Sequence, residues 1–130
     1  MAKKRYKHNE RLLPDQNVPH GVIILAIIAY LGEKDIPTKD ILYFWSDIVN
    51  MTSPHTVLPH YLFRLRKECY IETKRKREGS YHSITERGWR RLIYHYRKGN
   101  IPKWLLDGVE DVYKEYDEYF REIEQYRKSM

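Results

Sequence analysis

The chain has a single cysteine among its 130 residues, so no intrachain disulfide can form, and the cysteine usage fits a reducing compartment. It has no long hydrophobic run. The longest, Val22 to Ala29, covers eight residues against the ~20 needed to span a bilayer, so it predicts a buried helix and no membrane partner. The start of the chain is basic and polar and carries neither the apolar region nor the cleavage site of a signal peptide, so a cytoplasmic protein is expected. Catalytic signatures are also missing: there is no Gly-rich phosphate loop, no Ser-centred nucleophile motif and no HExxH. The six histidines, His8, His20, His55, His60, His82 and His95, show no metal-ligand spacing with one another or with Cys69. His55 and His60 would lie about 140° apart around a helix. No catalytic residue, metal site or cofactor is expected, and an enzyme reading has little support.

What the chain has is charge, unevenly distributed. The net charge is +6, but residues 1–105 hold 20 Lys and Arg against 10 Asp and Glu, whereas residues 106–130 hold 4 against 8. A basic body with an acidic tail suits a module whose one face meets phosphate. At this length one core is expected, with appendages.

The most informative stretch runs from Tyr61 to Gly88, YLFRLRKECYIETKRKREGSYHSITERG. Leu58, Leu62 and Leu65 have the spacing of one buried helical stripe, which turns Thr56, His60, Arg64 and Lys67 the other way. Tyr70 to Arg75 and Ser80 to Thr85 then read as two short strands around a Lys76-Arg77-Glu78-Gly79 tip. Four consecutive cations, Lys74 to Arg77, end the hairpin. A recognition helix followed by its wing has this layout.

With the words YLFRLRKECYIE and YHSITERG, residues 19–98 resemble the winged helix-turn-helix DNA-binding proteins, and within them most closely the PadR-like transcriptional regulators. Tyr81, Ile84, Thr85, Glu86 and Gly88 are the most specific part of the likeness. Cys69 stands where that family usually has a helix-ending Gly, and Pro59 is displaced by one residue. The resemblance implies a DNA-binding regulator that dimerises through a C-terminal helical region. The fold class expected is mainly α with a small β-hairpin wing, a winged helix-turn-helix plus a long C-terminal dimerisation helix.

The remaining elements follow from capping and periodicity. Residues 1–18 lack periodic apolar residues and read as a flexible basic arm, in which Lys3, Lys4, Arg5 and Lys7 are candidate DNA contacts. A first helix is predicted from near Pro19 to Gly32, with Ile23, Ile24, Ile27, Ile28 and Leu31 on a broad apolar face. Thr38 reads as the N-cap of a second helix with Ile41, Leu42, Trp45, Ile48 and Val49 buried. After an Asn50-Met51-Thr52 turn, Ser53-Pro54 starts the recognition helix. Thr85 reads as the cap of a fourth helix carrying Trp89, Leu92, Ile93 and Tyr96, with Gly88 expected to weaken it by roughly 1 kcal/mol relative to Ala. A last helix is predicted over 101–128. In it Leu105, Val109, Val112, Tyr116, Tyr119, Ile123 and Tyr126 alternate spacings of four and three, a heptad stripe that predicts a homodimer interface.

For DNA, the groove-facing candidates are Ser53, His55, Thr56, His60 and Arg64, with Arg64 suited to guanine and Thr56 to a thymine methyl. Lys39 and Lys67 read as phosphate contacts, and Lys74, Arg75, Lys76 and Arg77 as a wing tracking the flanking backbone or minor groove. Cys69 reads as a small buried residue closing its helix, with a redox-sensitive thiol as the alternative if exposed. Trp45, Trp89, Trp104 and the tyrosines read as core and seam. A small-molecule effector is compatible with them but not indicated. The reading is a homodimeric regulator of transcription, acting as a repressor on double-stranded DNA. The alternatives are a plasmid-segregation or architectural protein that spreads on DNA, and a winged-helix protein-interaction module. A composition rich in Ile, Tyr, Lys and Glu hints at a thermophilic source, archaeal or viral.

Overall fold

The computed structural model describes residues 19–48 and 53–129. In chain order the elements are α1 (His20–Leu31), β1 (Ile36–Pro37), α2 (Thr38–Ile48), α3 (Pro54–Lys67), β2 (Ile71–Lys76), β3 (Gly79–Ile84), α4 (Glu86–Arg97), α5 (Lys103–Leu106) and α6 (Glu110–Ser129). The strands form an antiparallel sheet in the order β1-β3-β2. The result is mostly helical, with a small sheet and a C-terminal helix, in a winged-helix-like arrangement.

The centre of the fold is α1. Pro19 caps it, its carbonyl accepting from Val22 N at 3.0 Å, and Gly32, at φ +130, stops it. Val22 through Ala29 are all buried, not only the apolar face expected from the sequence, because α2, α3, α4, α5 and β3 all pack around the helix. Trp45 of α2, Leu58, Leu62 and Leu65 of α3, and Trp89, Leu92 and Ile93 of α4 complete the core. The leucine stripe of α3 and the apolar face of α4 lie where periodicity places them.

The sheet holds a third strand that the hairpin reading lacked. Glu33 (φ +64) and Asp35 (φ +53) turn the chain through left-handed conformations after α1, and Ile36-Pro37 then pairs with His82-Tyr81. Two residues are too short to show an alternating pattern. The wing pairs from Ile71 opposite Ile84 to Lys76 opposite Gly79, so Lys76 and Gly79 are strand residues and the tip is Arg77-Glu78 alone.

His82 ties these strands to the helices. It is 2% exposed, its Nε2 lies 2.7 Å from Thr38 Oγ1 and its Nδ1 2.9 Å from Thr73 Oγ1. One ring thus joins β2, β3 and the start of α2. The Thr38 hydroxyl, expected to cap α2, is engaged instead by His82 and by the Ser80 carbonyl at 3.3 Å. Burial, with the Arg66 charge as a smaller contribution, pushes the His82 pKa down to about 4.

The junction between the wing and α4 is equally tight. Thr85 caps α4 as predicted, accepting from Gly88 N at 3.1 Å while its hydroxyl donates to the Cys69 carbonyl at 2.6 Å. Cys69 is exposed and not buried as expected. It has φ +65, the left-handed position that ends α3 and that glycine adopts most readily. Gly88 is not a weak point of α4 but a necessity. A Cβ there would stand 2.2 Å from the Tyr70 carbonyl oxygen and 2.8 Å from Ile84 Cγ2.

The C-terminal region departs most from expectation. The continuous helix over 101–128 is broken into α5 and α6 by Asp107 and Gly108, the latter at φ +76. The break lets Leu105 enter the core, where it is fully buried, before α6 sets off along α4.

Two expectations follow. Because the folded state keeps His82 neutral while the unfolded chain protonates near pH 6.5, stability is full above that value and falls as the pH drops toward 4, by at most about 3 kcal/mol. A His82→Gln variant should be less stable at pH 7 yet show a shallower loss between pH 6.5 and 4.5 in thermal melts; an unchanged slope contradicts this. Gly88→Ala should lower stability by roughly 2–3 kcal/mol through overpacking, opposite to the gain that helix propensity predicts. Urea denaturation of the two proteins decides the sign.

Candidate nucleic-acid interface

The solvent face of α3 is formed by His55, Thr56, Pro59, His60, Phe63, Arg64 and Lys67, all exposed. Leu58, Leu62 and Leu65 anchor the opposite face in the core, so the helix can be gripped from behind and still present an unobstructed front. Ser53 stands at the N-cap, half-buried, without a side-chain capping bond. Of the groove-facing candidates, Thr56, His60 and Arg64 share an accessible face with Lys67, while His55, also exposed, stands about 140° around the helix from His60. Lys39 is exposed on the first turn of α2.

Phe63 was missed by sequence reasoning. It is 53% exposed in the middle of this face, with the Arg66 guanidinium 5.5 Å from its ring centre. The leucine stripe alone already gave its direction. A phenylalanine on the polar side of an amphipathic helix was the signal.

The four wing cations are exposed but do not form one surface. Alternation along β2 puts Lys74 and Lys76 on one side of the sheet, with Arg75 on the side of Thr73. Lys76 Nζ lies 4.8 Å from the centre of the Tyr81 ring. Lys74 Nζ is 4.0 Å from Asp35 Oδ1, an exposed pair that holds the lysine only weakly. Arg77 occupies the turn. The wing thus offers cations on both its faces and at its tip, a shape suited to straddling a phosphate ridge. Lys3, Lys4, Arg5 and Lys7 lie outside the described residues, as do Val49 and the Asn50-Met51-Thr52 turn.

Two clefts flank this surface. One, of about 280 Å³, separates α1, α3 and α4 and is lined by His20, Tyr61, Arg64, Glu68, Tyr70 and Arg91 among others. His20 Nδ1 and Tyr61 Oη are 3.2 Å apart there, and burial lowers the His20 pKa. The other, of about 530 Å³, opens between the base of the wing and α6 and includes Glu33, Glu86, Trp89, Glu115, Tyr116 and Tyr119. Trp89 stacks on Tyr116 with ring centres 4.3 Å apart, and Trp45 is buried in the core, so these rings serve packing as the spacing suggested. Trp104 meets Tyr30 edge-on at 5.8 Å.

The predicted dimer stripe divides. Leu105 is core, and Val109, Val112, Tyr116 and Ile123 pack in part against the chain's own core. The most buried residues of α6 are Tyr113 and Phe120, which the heptad reading passed over. Tyr119 remains 45% and Tyr126 67% exposed, beside a hollow of about 540 Å³ shared with Glu122, Ile123 and Arg127. A seven-residue period cannot say which of two neighbouring stripes meets the home domain.

Among the described residues no cluster of three His, Cys, Asp or Glu side chains could hold a metal ion, and no helix is long and apolar enough to cross a membrane. No protein-family model and no curated protein matches the chain. A solved structure from a study of how DNA binding by Bordetella bronchiseptica BpsR is regulated by 6-hydroxynicotinic acid is similar over 98% of this chain and 87% of the other, with a TM-score of 0.45 and 12% identity. At those values the likeness carries no functional weight.

Proposed function

We propose that the protein binds double-stranded DNA sequence-specifically as a homodimer and regulates transcription, acting as a repressor by occupying a promoter. The observation that carries this reading is the exposed face of α3, in which His55, Thr56, His60, Arg64 and Lys67 stand free of the core on a helix held rigidly from behind. Arg64 matches a guanine edge and Thr56 a thymine methyl, with Ser53 at the helix start close to the backbone. Lys39 and the wing residues Lys74, Arg75, Lys76 and Arg77 supply charge for phosphates, and Lys3, Lys4, Arg5 and Lys7 extend it from the N-terminal arm. In this reading residues 19–98 are the DNA-binding domain and α6 the dimerisation helix. The PadR-like resemblance points the same way.

The dimer contact is assigned to Tyr119 and Tyr126, which their own domain leaves exposed, with the partly packed Ile123 between them. Two copies joined there would set a pair of α3 helices for half-sites about 34 Å apart or a multiple of it.

DNase I footprinting on the DNA around the protein's own gene, at two salt concentrations, tests the DNA reading. The expected result is one short protected palindrome, weakened by salt and lost when Lys74, Arg75, Lys76 and Arg77 are changed together to Ala. Protection that spreads with protein concentration would replace regulation by a DNA-coating or segregation role, and no protection would favour a protein-docking module. Sedimentation should give a dimer that becomes monomeric in a Tyr126→Glu variant whose helical circular dichroism is unchanged. A monomeric parent protein would overturn the dimer.

A further inference from the structure

The five cations in and just after α4 are sorted by the fold into two groups. Arg90 and Arg97 turn toward acidic groups: Arg90 pairs with Glu86 at 3.7 Å, and Arg97 with Asp117 at 2.5 Å and Glu124 at 3.4 Å. Arg87, Arg91 and Lys98 pair with no carboxylate among the described residues. They rest on tyrosine rings, Arg87 and Arg91 on Tyr70 at 5.1 and 5.6 Å and Lys98 on Tyr94 at 4.5 Å. With Tyr94, which is 53% exposed, they fall at i, i+4, i+7 and i+11, one stripe of the helix about 16 Å long at 1.5 Å per residue.

Two guanidinium groups held over one ring, with no carboxylate among the described residues in ion-pair contact with either, repel each other, and a polyanion that neutralises them relieves that repulsion. The local potential is felt by neighbouring groups: Lys98 and Arg91 lower the pKa of Tyr94, and after burial the same two cations lower that of His95. The stripe also connects to the recognition helix. Arg91 and Arg64 line one cleft, in which Glu68 is the acidic group. The Glu68 carbonyl is bound by Arg87 Nε at 2.9 Å.

We infer that Arg87, Arg91, Tyr94 and Lys98 form a second backbone-binding strip that follows the sugar-phosphate chain of the duplex beyond the groove entered by α3. The cations would meet successive phosphates, and the exposed Tyr94 ring and hydroxyl would pack against the sugars between them. This rests on the DNA-binding reading and extends it to the flanking, sequence-independent part of the contact. It also assigns a role to positive charge that the wing does not account for.

The test uses the full chain and two duplexes, one limited to the footprinted site and one extended by about ten base pairs on each side, roughly a helical turn. An Arg91→Gln, Lys98→Gln variant leaves the Arg87 bond to the α3 terminus intact, and its melting temperature should stay near that of the parent. The parent should bind the longer duplex about five- to tenfold more tightly than the shorter one, and the variant should lose that difference. Its plot of log affinity against log salt on the longer duplex should be shallower by about two, near 0.9 for each lost phosphate contact. If parent and variant agree in affinity and salt slope on both duplexes while the wing variant still weakens binding, the strip is solvated charge and the inference fails alone. If polyglutamate displaces the protein from the flanks as readily as unrelated duplex does, an acidic protein surface is the better partner and the inference also fails. A parent protein that binds neither duplex overturns the DNA reading itself.

Discussion

A helix with no polar side has to be covered on every side, and α1 is such a helix. Eight consecutive residues from Val22 to Ala29 lose essentially all contact with water, which at 1.5–3 kcal/mol for each large side chain is the dominant favourable contribution in a chain this small. Covering it takes α2, α3, α4, the central strand β3 and α5 together. The helix-turn-helix pair and the wing are therefore not a separate head attached to a support. They are the cover of α1, and their outward faces have the orientations that this cover allows.

From that constraint the wing inherits its rigidity. A two-stranded hairpin alone is marginal in water, yet this one is fixed to the body through β1, through the His82 ring between Thr38 and Thr73, and through the Thr85 and Gly88 junction at its far end. A buried neutral imidazole with a partner on each nitrogen is well satisfied so long as it carries no second proton. The attachment is therefore stronger at neutral pH than in acid.

How much of this was legible in the sequence depended on whether one residue or a pattern carried the information. The back of α3, the hairpin, the Thr85 cap and the burial of Trp45 and Trp89 followed from spacing and capping. The exposed face of α3 was legible because a three-leucine stripe fixes what lies opposite it, and the exposure of Phe63 could be read from the same stripe. What was hidden rested on contacts distant in sequence. Nothing local distinguishes His82 from an exposed strand histidine, and Gly88 reads as a propensity defect until Tyr70 and Ile84 are placed against it. A two-residue β1 has no period. The break at Asp107-Gly108 was written in a glycine, but a heptad running through it at constant spacing concealed it, and with it the core roles of Leu105, Tyr113 and Phe120.

The division of charge between body and tail has a structural counterpart. The acidic residues of α6 are not simply kept clear of the basic body; Asp117 and Glu124 hold Arg97, and Tyr96 and Tyr119 bond to Glu110 and Glu86 across the α4–α6 interface. That neutralises one side of α4 and leaves its Arg87, Arg91 and Lys98 stripe without carboxylate partners among the described residues. A single packing choice, α6 against the Arg90 and Arg97 side of α4, thus sorts the cations of the helix. It also determines which part of the α6 stripe is spent on the home domain. Tyr113 and Phe120 turn inward beside the stripe, Ile123 packs in part against the core, and Tyr119 and Tyr126 stay exposed. The direction of α6 is then governed by the same buried aromatic rings, Tyr113 against Trp89 first among them, that hold it against α4.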